Sequence, residues 1–214
     1  MGVQGSCVGR PRECNLRVMN DAPWQAWYHC MCNTYGTWLR GDRRGWRERH
    51  HRKHVEGDYR NPPKKGTFEM IQKQSQALMK RDPVYLDEEL RRLALLAVVE
   101  CLIGDGIIVL VACLDRKHLH VLGQFKDKRS RQRLGWAKFH ATKKVKQFLN
   151  THGAAVGIPL ELKTGEGIWG KRSECVPVTD CVHRLNSLNY IAGHWKKGAR
   201  VWLNPRLPRL VPSI

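Results

Sequence analysis

The apolar positions of this chain change period several times, and each change marks an element. From Leu86 to Leu102, LDEELRRLALLAVVECL sets a run of good helix formers behind an acidic first turn, which suits the positive end of a helix dipole and predicts a helix. After a GDG turn, IIVLVACL (107–114) is a continuous β-branched run expected of a buried strand. HLHVLGQF (118–125) follows across a tight DRK connection as a second strand, hairpin-paired to the first. Upstream, AWYHCMCNTYGTWL (26–39) begins as a strand and ends in a Tyr-Gly-Thr turn. Downstream come a basic helix (130–151), short strand pieces in GIWGKR and CVPV, and a last helix, CVHRLNSLNYIAGHW (181–195), capped by Thr179 or Asp180. The simplest packing of this order is one antiparallel sheet with helices on one face, a ferredoxin-like α+β sandwich.

Between the first strand and the first helix, residues 40–66 carry ten Lys/Arg against four Asp/Glu, with Gly and Pro throughout, and read as a basic insertion. The organisation expected is a flexible tail over 1–22, one domain over 23–203 interrupted by that insertion, and a C-terminal tail over 204–214. Composition adds a partner. Lys and Arg number 38 against 19 Asp and Glu, a formal charge of +19, and such an excess favours a polyanion, most often nucleic acid. No run approaches the roughly 18 apolar residues that span a bilayer, so no membrane partner is expected. The N-terminal stretch lacks the apolar core of a signal peptide, and the eight cysteines form no CxxC pair. Reduced thiols and a cytoplasmic location are the expectation.

Candidate chemistry centres on HLH at 118–120. Residues i and i+2 of a strand face the same side, so His118 and His120 project together, a geometry from which two imidazoles can chelate an ion. With ten histidines in the chain the pair alone is a weak signal. The last helix strengthens it. At about 100° per residue, His183, Ser187, Tyr190 and His194 share one face, and Leu185, Leu188, Ile191, Ala192 and Trp195 the opposite, apolar one. If the polar face lies across the histidine side of the sheet, three imidazoles and one phenol converge. A tyrosine hydroxyl, with a pKa of about 10 when free, becomes a usable nucleophile beside a divalent ion.

This combination resembles the single-tyrosine HUH transposases, and especially their REP-associated tyrosine transposase branch. HLH at 118–120 is similar to the histidine–hydrophobe–histidine of their central strand, and NYIAGH at 189–194 to the helix that carries the tyrosine with a metal-coordinating polar residue four positions on. TYGTWLRGDRRGW (34–46) resembles an N-terminal block of these proteins, and GIWGKR supplies a Trp before the final helix. The resemblance covers most of 26–203 in scattered islands. It implies the HUH endonuclease type of ferredoxin-like fold and metal-dependent cleavage and rejoining of single-stranded DNA. Tyr190 would be the catalytic nucleophile and form a 5′-phosphotyrosyl link. His118, His120 and His194 would hold Mg²⁺ or Mn²⁺. Two positions depart from the pattern. The third ligand there is more often Gln or Asn, and three imidazoles also suit Zn²⁺; DRK stands where a PNH-type stretch is usual.

DNA-binding candidates lie in two basic tracts with interleaved aromatics: Arg43, Arg44, Trp46 and Arg47 in the insertion, and Lys126, Lys128, Arg129, Arg131, Arg133, Lys138, Lys143 and Lys144 in and before the 130–151 helix. Cations follow phosphates and rings stack on unpaired bases, which suits single strands and hairpins. Trp38, Trp169, Trp202, Cys30, Cys32, Cys101 and Cys113 are assigned to packing. Three readings follow: a tyrosine nuclease–ligase acting as monomer or homodimer, a non-catalytic or domesticated DNA- or RNA-binding protein of the same fold, and a basic RNA-associated protein with a structural zinc.

Overall fold

The computed structural model describes residues 26–47, 54–55, 63–153, 160 and 162–206. The expected tail over 1–22, residues 207–214 of the C-terminal one and part of the 40–66 insertion therefore lie outside the described residues, while Asn204 is tied to the sheet by hydrogen bonds to the Val109 and Leu110 carbonyls. In chain order the elements are β1 (Trp27–Thr34), the two-residue strands β2 (Trp46–Arg47) and β3 (His54–Val55), α1 (Glu69–Ala77), α2 (Glu88–Gly104), β4 (Ile108–Leu114), β5 (His118–Gln124), α3 (Ser130–Phe148), β6 (Trp169–Pro177), α4 (Cys181–Ala192) and β7 (Arg200–Leu203).

Five strands form one sheet in the order β6-β1-β5-β4-β7, and every neighbouring pair is antiparallel. Without β7, the succession β1-α2-β4-β5-α3-β6 is the split βαβ arrangement of a ferredoxin-like α+β fold, in which β5 sits between β1 and β4. β2 and β3 pair separately. Among the described residues no helix is long and apolar enough to cross a membrane.

Local chemistry sets the helix boundaries. Asp87 caps α2 by accepting from the Leu90 amide at 2.8 Å, and Glu88 and Glu89 occupy its first turn. Of the two cap candidates for α4 it is Asp180 that accepts, from the His183 amide at 2.8 Å. The turn after β1 needs Gly36, whose φ of 73° is left-handed and whose absent Cβ would stand 3.0 Å from Pro83 Cα.

Alternation along the strands divides the sheet into two faces, each with its own core. Cys30, Cys32, Leu119 and Val121 point to the side covered by α2 and α3, where they meet Leu90, Ala94, Val98, Leu134, Ala137 and Ala141. Trp27, Val111, Cys113 and Leu122 point to the other side, against Leu188, Ile191 and Ala192 of α4. The two long helices thus share one face, as expected, and α4 is the exception to that layout. It lies on the face that carries His118 and His120.

Four elements and one orientation differ from the sequence expectation: β2 and β3 fall in the segment read as a basic insertion, and α1 and β7 have no counterpart in the expected order. α1 buries none of its residues, so no apolar stripe announces it, and β7 is only four residues long. GIWGKR and CVPV belong to one strand, β6. The buried face of α4 runs through Arg184, Ser187, Leu188, Ile191 and Ala192, while Leu185 and Trp195 are exposed. Arg184 takes the first place on that face because its guanidinium lies over the Trp27 ring, 5.4 Å from the centroid.

A histidine and tyrosine cluster between the sheet and the last helix

β5 delivers His118 and His120 side by side, their rings 4.2 Å apart. β1 adds a third imidazole. Its register pairs Met31 with His120 and His29 with Leu122, so His29 is the diagonal neighbour of His120 on the same face. Its Nε2 lies 3.0 Å from His120 Nδ1. From above, α4 supplies Tyr190, and the tighter turn Gly193–Lys197 that continues it supplies His194. The His120 ring lies 5.5 Å from that of Tyr190 and 4.9 Å from that of His194, and the last two are 4.8 Å apart. The sheet and the helix thus bring together all four residues singled out as catalytic or metal-ligating.

The cluster is dry at its base and open at its rim. His120 is 2% exposed and His194 8%, whereas Tyr190 is 52% exposed. The Nε2 atoms of His120 and His194 are buried without a hydrogen-bond partner. A polar atom so placed costs free energy unless something else satisfies it. Burial, followed by repulsion from the neighbouring imidazoles, holds His120 down to about 2. Burial also lowers His29 and His118 to about 4, and it lowers His194, with Lys197 adding to the effect. The imidazoles are therefore neutral near pH 7, the state in which a ring nitrogen can donate a lone pair. Asp115 in the β4–β5 turn accepts from the amides of Lys117 and His118 at 2.7 and 2.6 Å, and its charge partly offsets the fall at His118 and His194.

As they stand, no group of three or more His, Cys, Asp or Glu among the described residues encloses a metal-sized space. The donor chemistry nevertheless fits an ion: partnerless buried ring nitrogens on two elements, and a hydrogen bond between His120 Nδ1 and His29 Nε2 that leaves Nε2 of His120 as the available nitrogen.

The proposed DNA contacts fare unevenly. Trp46 is buried, edge-on to Phe68, and is not available to stack on a base. Arg44 is engaged by Asp42 at 2.5 and 2.9 Å and by the Thr37 carbonyl at 2.7 Å, and it lies over Trp38. Lys138 is 7% exposed, and its Nζ donates to the Gly170 carbonyl and Ser173 Oγ at 2.8 and 3.1 Å. It belongs to the packing of α3 on β6. Arg133 is held by Asp127 and Asp105. Arg43, Lys126, Lys128, Arg129, Arg131, Lys143 and Lys144 are exposed. The side chain of Arg47 lies outside the described residues. All the α3 cations sit on the sheet face opposite the histidines.

Three residues near the cluster escaped the sequence reading. His29 had an alternating strand pattern to recommend it, but its partner is set by register. Trp38, assigned to packing, is 38% exposed and stands edge-on to His118 at 6.3 Å. Lys197 is exposed and acts electrostatically on both His194 and His120. Comparison of the chain with family models, with curated proteins and with solved structures finds no match in any of the three.

Proposed function

We propose that this chain is a single-tyrosine strand transferase of HUH type, a cytoplasmic, transposase-like endonuclease that cuts and rejoins single-stranded or hairpin DNA as a monomer or homodimer. The observation that carries the reading is a half-exposed tyrosine standing over two buried imidazoles, His120 and His194, whose Nε2 atoms have no protein partner. Tyr190 Oη attacks a backbone phosphorus; the new O–P bond leaves DNA joined to the enzyme through a 5′-phosphotyrosine, the P–O3′ bond breaks, and the departing oxygen takes a proton to become a 3′-hydroxyl. His118, His120 and His194 would hold a divalent ion. A bound ion would polarise the phosphate and ease deprotonation of the attacking hydroxyl. The all-imidazole donor set suits Mn²⁺ or Zn²⁺ better than Mg²⁺, which prefers oxygen. His29 holds the His120 ring in orientation through Nδ1. Low imidazole basicity keeps the ligands unprotonated at neutral pH.

The substrate approaches from the α4 side, past Lys117 and Lys197. The cations of α3 reach DNA only where it passes around the sheet, and this suits a hairpin whose stem docks away from its cut strand. A second reading, binding without cutting, draws on that same tract, because it lies apart from the histidines.

The test is a denaturing gel of purified protein with end-labelled hairpin DNAs and Mn²⁺. A covalent adduct carrying the 3′-side fragment, absent from Tyr190→Phe and His120→Ala, is expected. Tight binding by all three proteins with no adduct over a broad hairpin panel would favour the non-catalytic reading.

A further inference from the structure

On the other face of the sheet, β1 and β6 place Cys30 directly opposite Cys175. Facing residues of antiparallel strands have Cα atoms roughly 4.5–5.5 Å apart, within the range a disulfide spans. Both are thiols in the structure, and their side chains share a hydrogen bond. The pair is asymmetric. Cys30 is fully buried, whereas Cys175 is half-buried and lines a surface cavity of about 400 Å³ together with Tyr28, Lys128, Arg129, Ser130, Arg131 and Gln132.

The surroundings favour one thiolate. The hydrogen bond from Cys30, then Ser130 and the Arg131 charge, lower the Cys175 thiol below its ordinary value against the cost of burial. Burial pushes the other packed thiols the opposite way: Cys32 and Cys113 to about 12, and Cys30 and Cys101 upward as well. A reactive cysteine needs thiolate character, access and a basic setting, and Cys175 combines them.

We propose that Cys175 is an oxidisable nucleophilic thiol and Cys30 its resolving partner, so that peroxide converts the pair into a disulfide joining β1 to β6. In the first step the Cys175 thiolate attacks one oxygen of hydrogen peroxide and the O–O bond breaks, leaving a sulfenic acid and a hydroxide that becomes water. In the second, Cys30 sulfur attacks the sulfenic sulfur, the S–O bond breaks, and the Cys30 proton leaves with the oxygen as a second water. Overall, two thiols are oxidised and one peroxide is reduced. The inference is independent of the proposed strand transfer, because neither cysteine touches the histidine face.

Trypsin leaves Cys30 and Cys32 on one peptide (18–40) and Cys175 and Cys181 on another (173–184), so the experiment uses the full chain with Cys32→Ser and Cys181→Ser. After hydrogen peroxide treatment, blocking and digestion without reductant, mass spectrometry is expected to find these peptides joined, with a mass two hydrogens below their sum. The product disappears on reduction. In the same background, Cys30→Ser should instead leave Cys175 as a sulfenic acid captured by dimedone. Oxidation of Cys101 or Cys113 ahead of Cys175, or the absence of both the joined peptides and the dimedone adduct, would overturn the proposal.

Discussion

Replacing His120 with leucine is expected to make the metal-free protein more stable. His120 is 2% exposed, its Nε2 has no partner, and its strand neighbours across the sheet are Met31 and Cys113. An unsatisfied buried polar group costs about 1–3 kcal/mol, and leucine of similar bulk removes that cost. His29 loses its hydrogen bond, but it is half-buried and can take water instead. For a chain of this length the gain corresponds to roughly 2–4 °C of Tm per kcal/mol. The change also alters acid sensitivity. Imidazoles held at about 4, 4 and 2 bind fewer protons when folded than when unfolded, where the pKa is near 6.5. Stability from these groups is complete above about pH 6.5 and falls as pH drops toward the folded values, by about 1.4 kcal/mol per pH unit for each imidazole kept neutral. His120→Leu removes one such group. Urea unfolding in EDTA at pH 7.5 and 5.5 measures both effects: a higher midpoint at 7.5 and a smaller loss at 5.5. A variant less stable than the parent at pH 7.5, with the same acid loss, would show that His120 is an ordinary satisfied core residue and that the orphaned nitrogen carries no functional meaning.

The hydrogen bond between His120 Nδ1 and His29 Nε2, in which a His120 that ligates through Nε2 is the donor, predicts that His29→Ala weakens Zn²⁺ binding about 10–100-fold, while His29→Gln, which keeps an acceptor, restores most of it. Calorimetric titration checks this, and unchanged affinity in His29→Ala would remove His29 from the site. Lys138 and its neighbours on α3 should separate cleanly: Lys138→Met costs about 1–3 kcal/mol of stability by unpairing Gly170 and Ser173 but leaves DNA affinity unchanged. Lys143→Ala with Lys144→Ala leaves stability unchanged and flattens the salt dependence of hairpin binding, read by fluorescence anisotropy. The reverse assignment would place the DNA elsewhere.

Much of this architecture is legible in the sequence because its strands and long helices have clear periods. The pairing of His118 with His120, and of Tyr190 with His194, follows from i, i+2 and i, i+4 geometry and needs no fold. What the periods cannot supply is partner choice. α4 has apolar residues on more than one side, and Leu185 and Trp195 read as core until Arg184 is seen stacked on Trp27. His29 enters the site through strand register, a relation between residues 91 positions apart. Lys138 is indistinguishable in sequence from the exposed lysines around it; only its place beneath α3 separates them. Trp46 and Trp38 exchange the roles expected of them: one indole is buried against Phe68, and the other lies exposed beneath the Arg44 guanidinium.

The placement of α4 on its own side of the sheet also bears on the order in which the cluster is assembled. As the chain leaves the ribosome, β1, α2, β4, β5, α3 and β6 are all made before α4, and they supply nearly all of the larger core. The strands that carry His29, His118 and His120 are therefore complete while Tyr190 and His194 are still to be synthesised. The nascent protein is a histidine-bearing platform without Tyr190 and His194, and the cluster is complete only when the last helix closes over the second face.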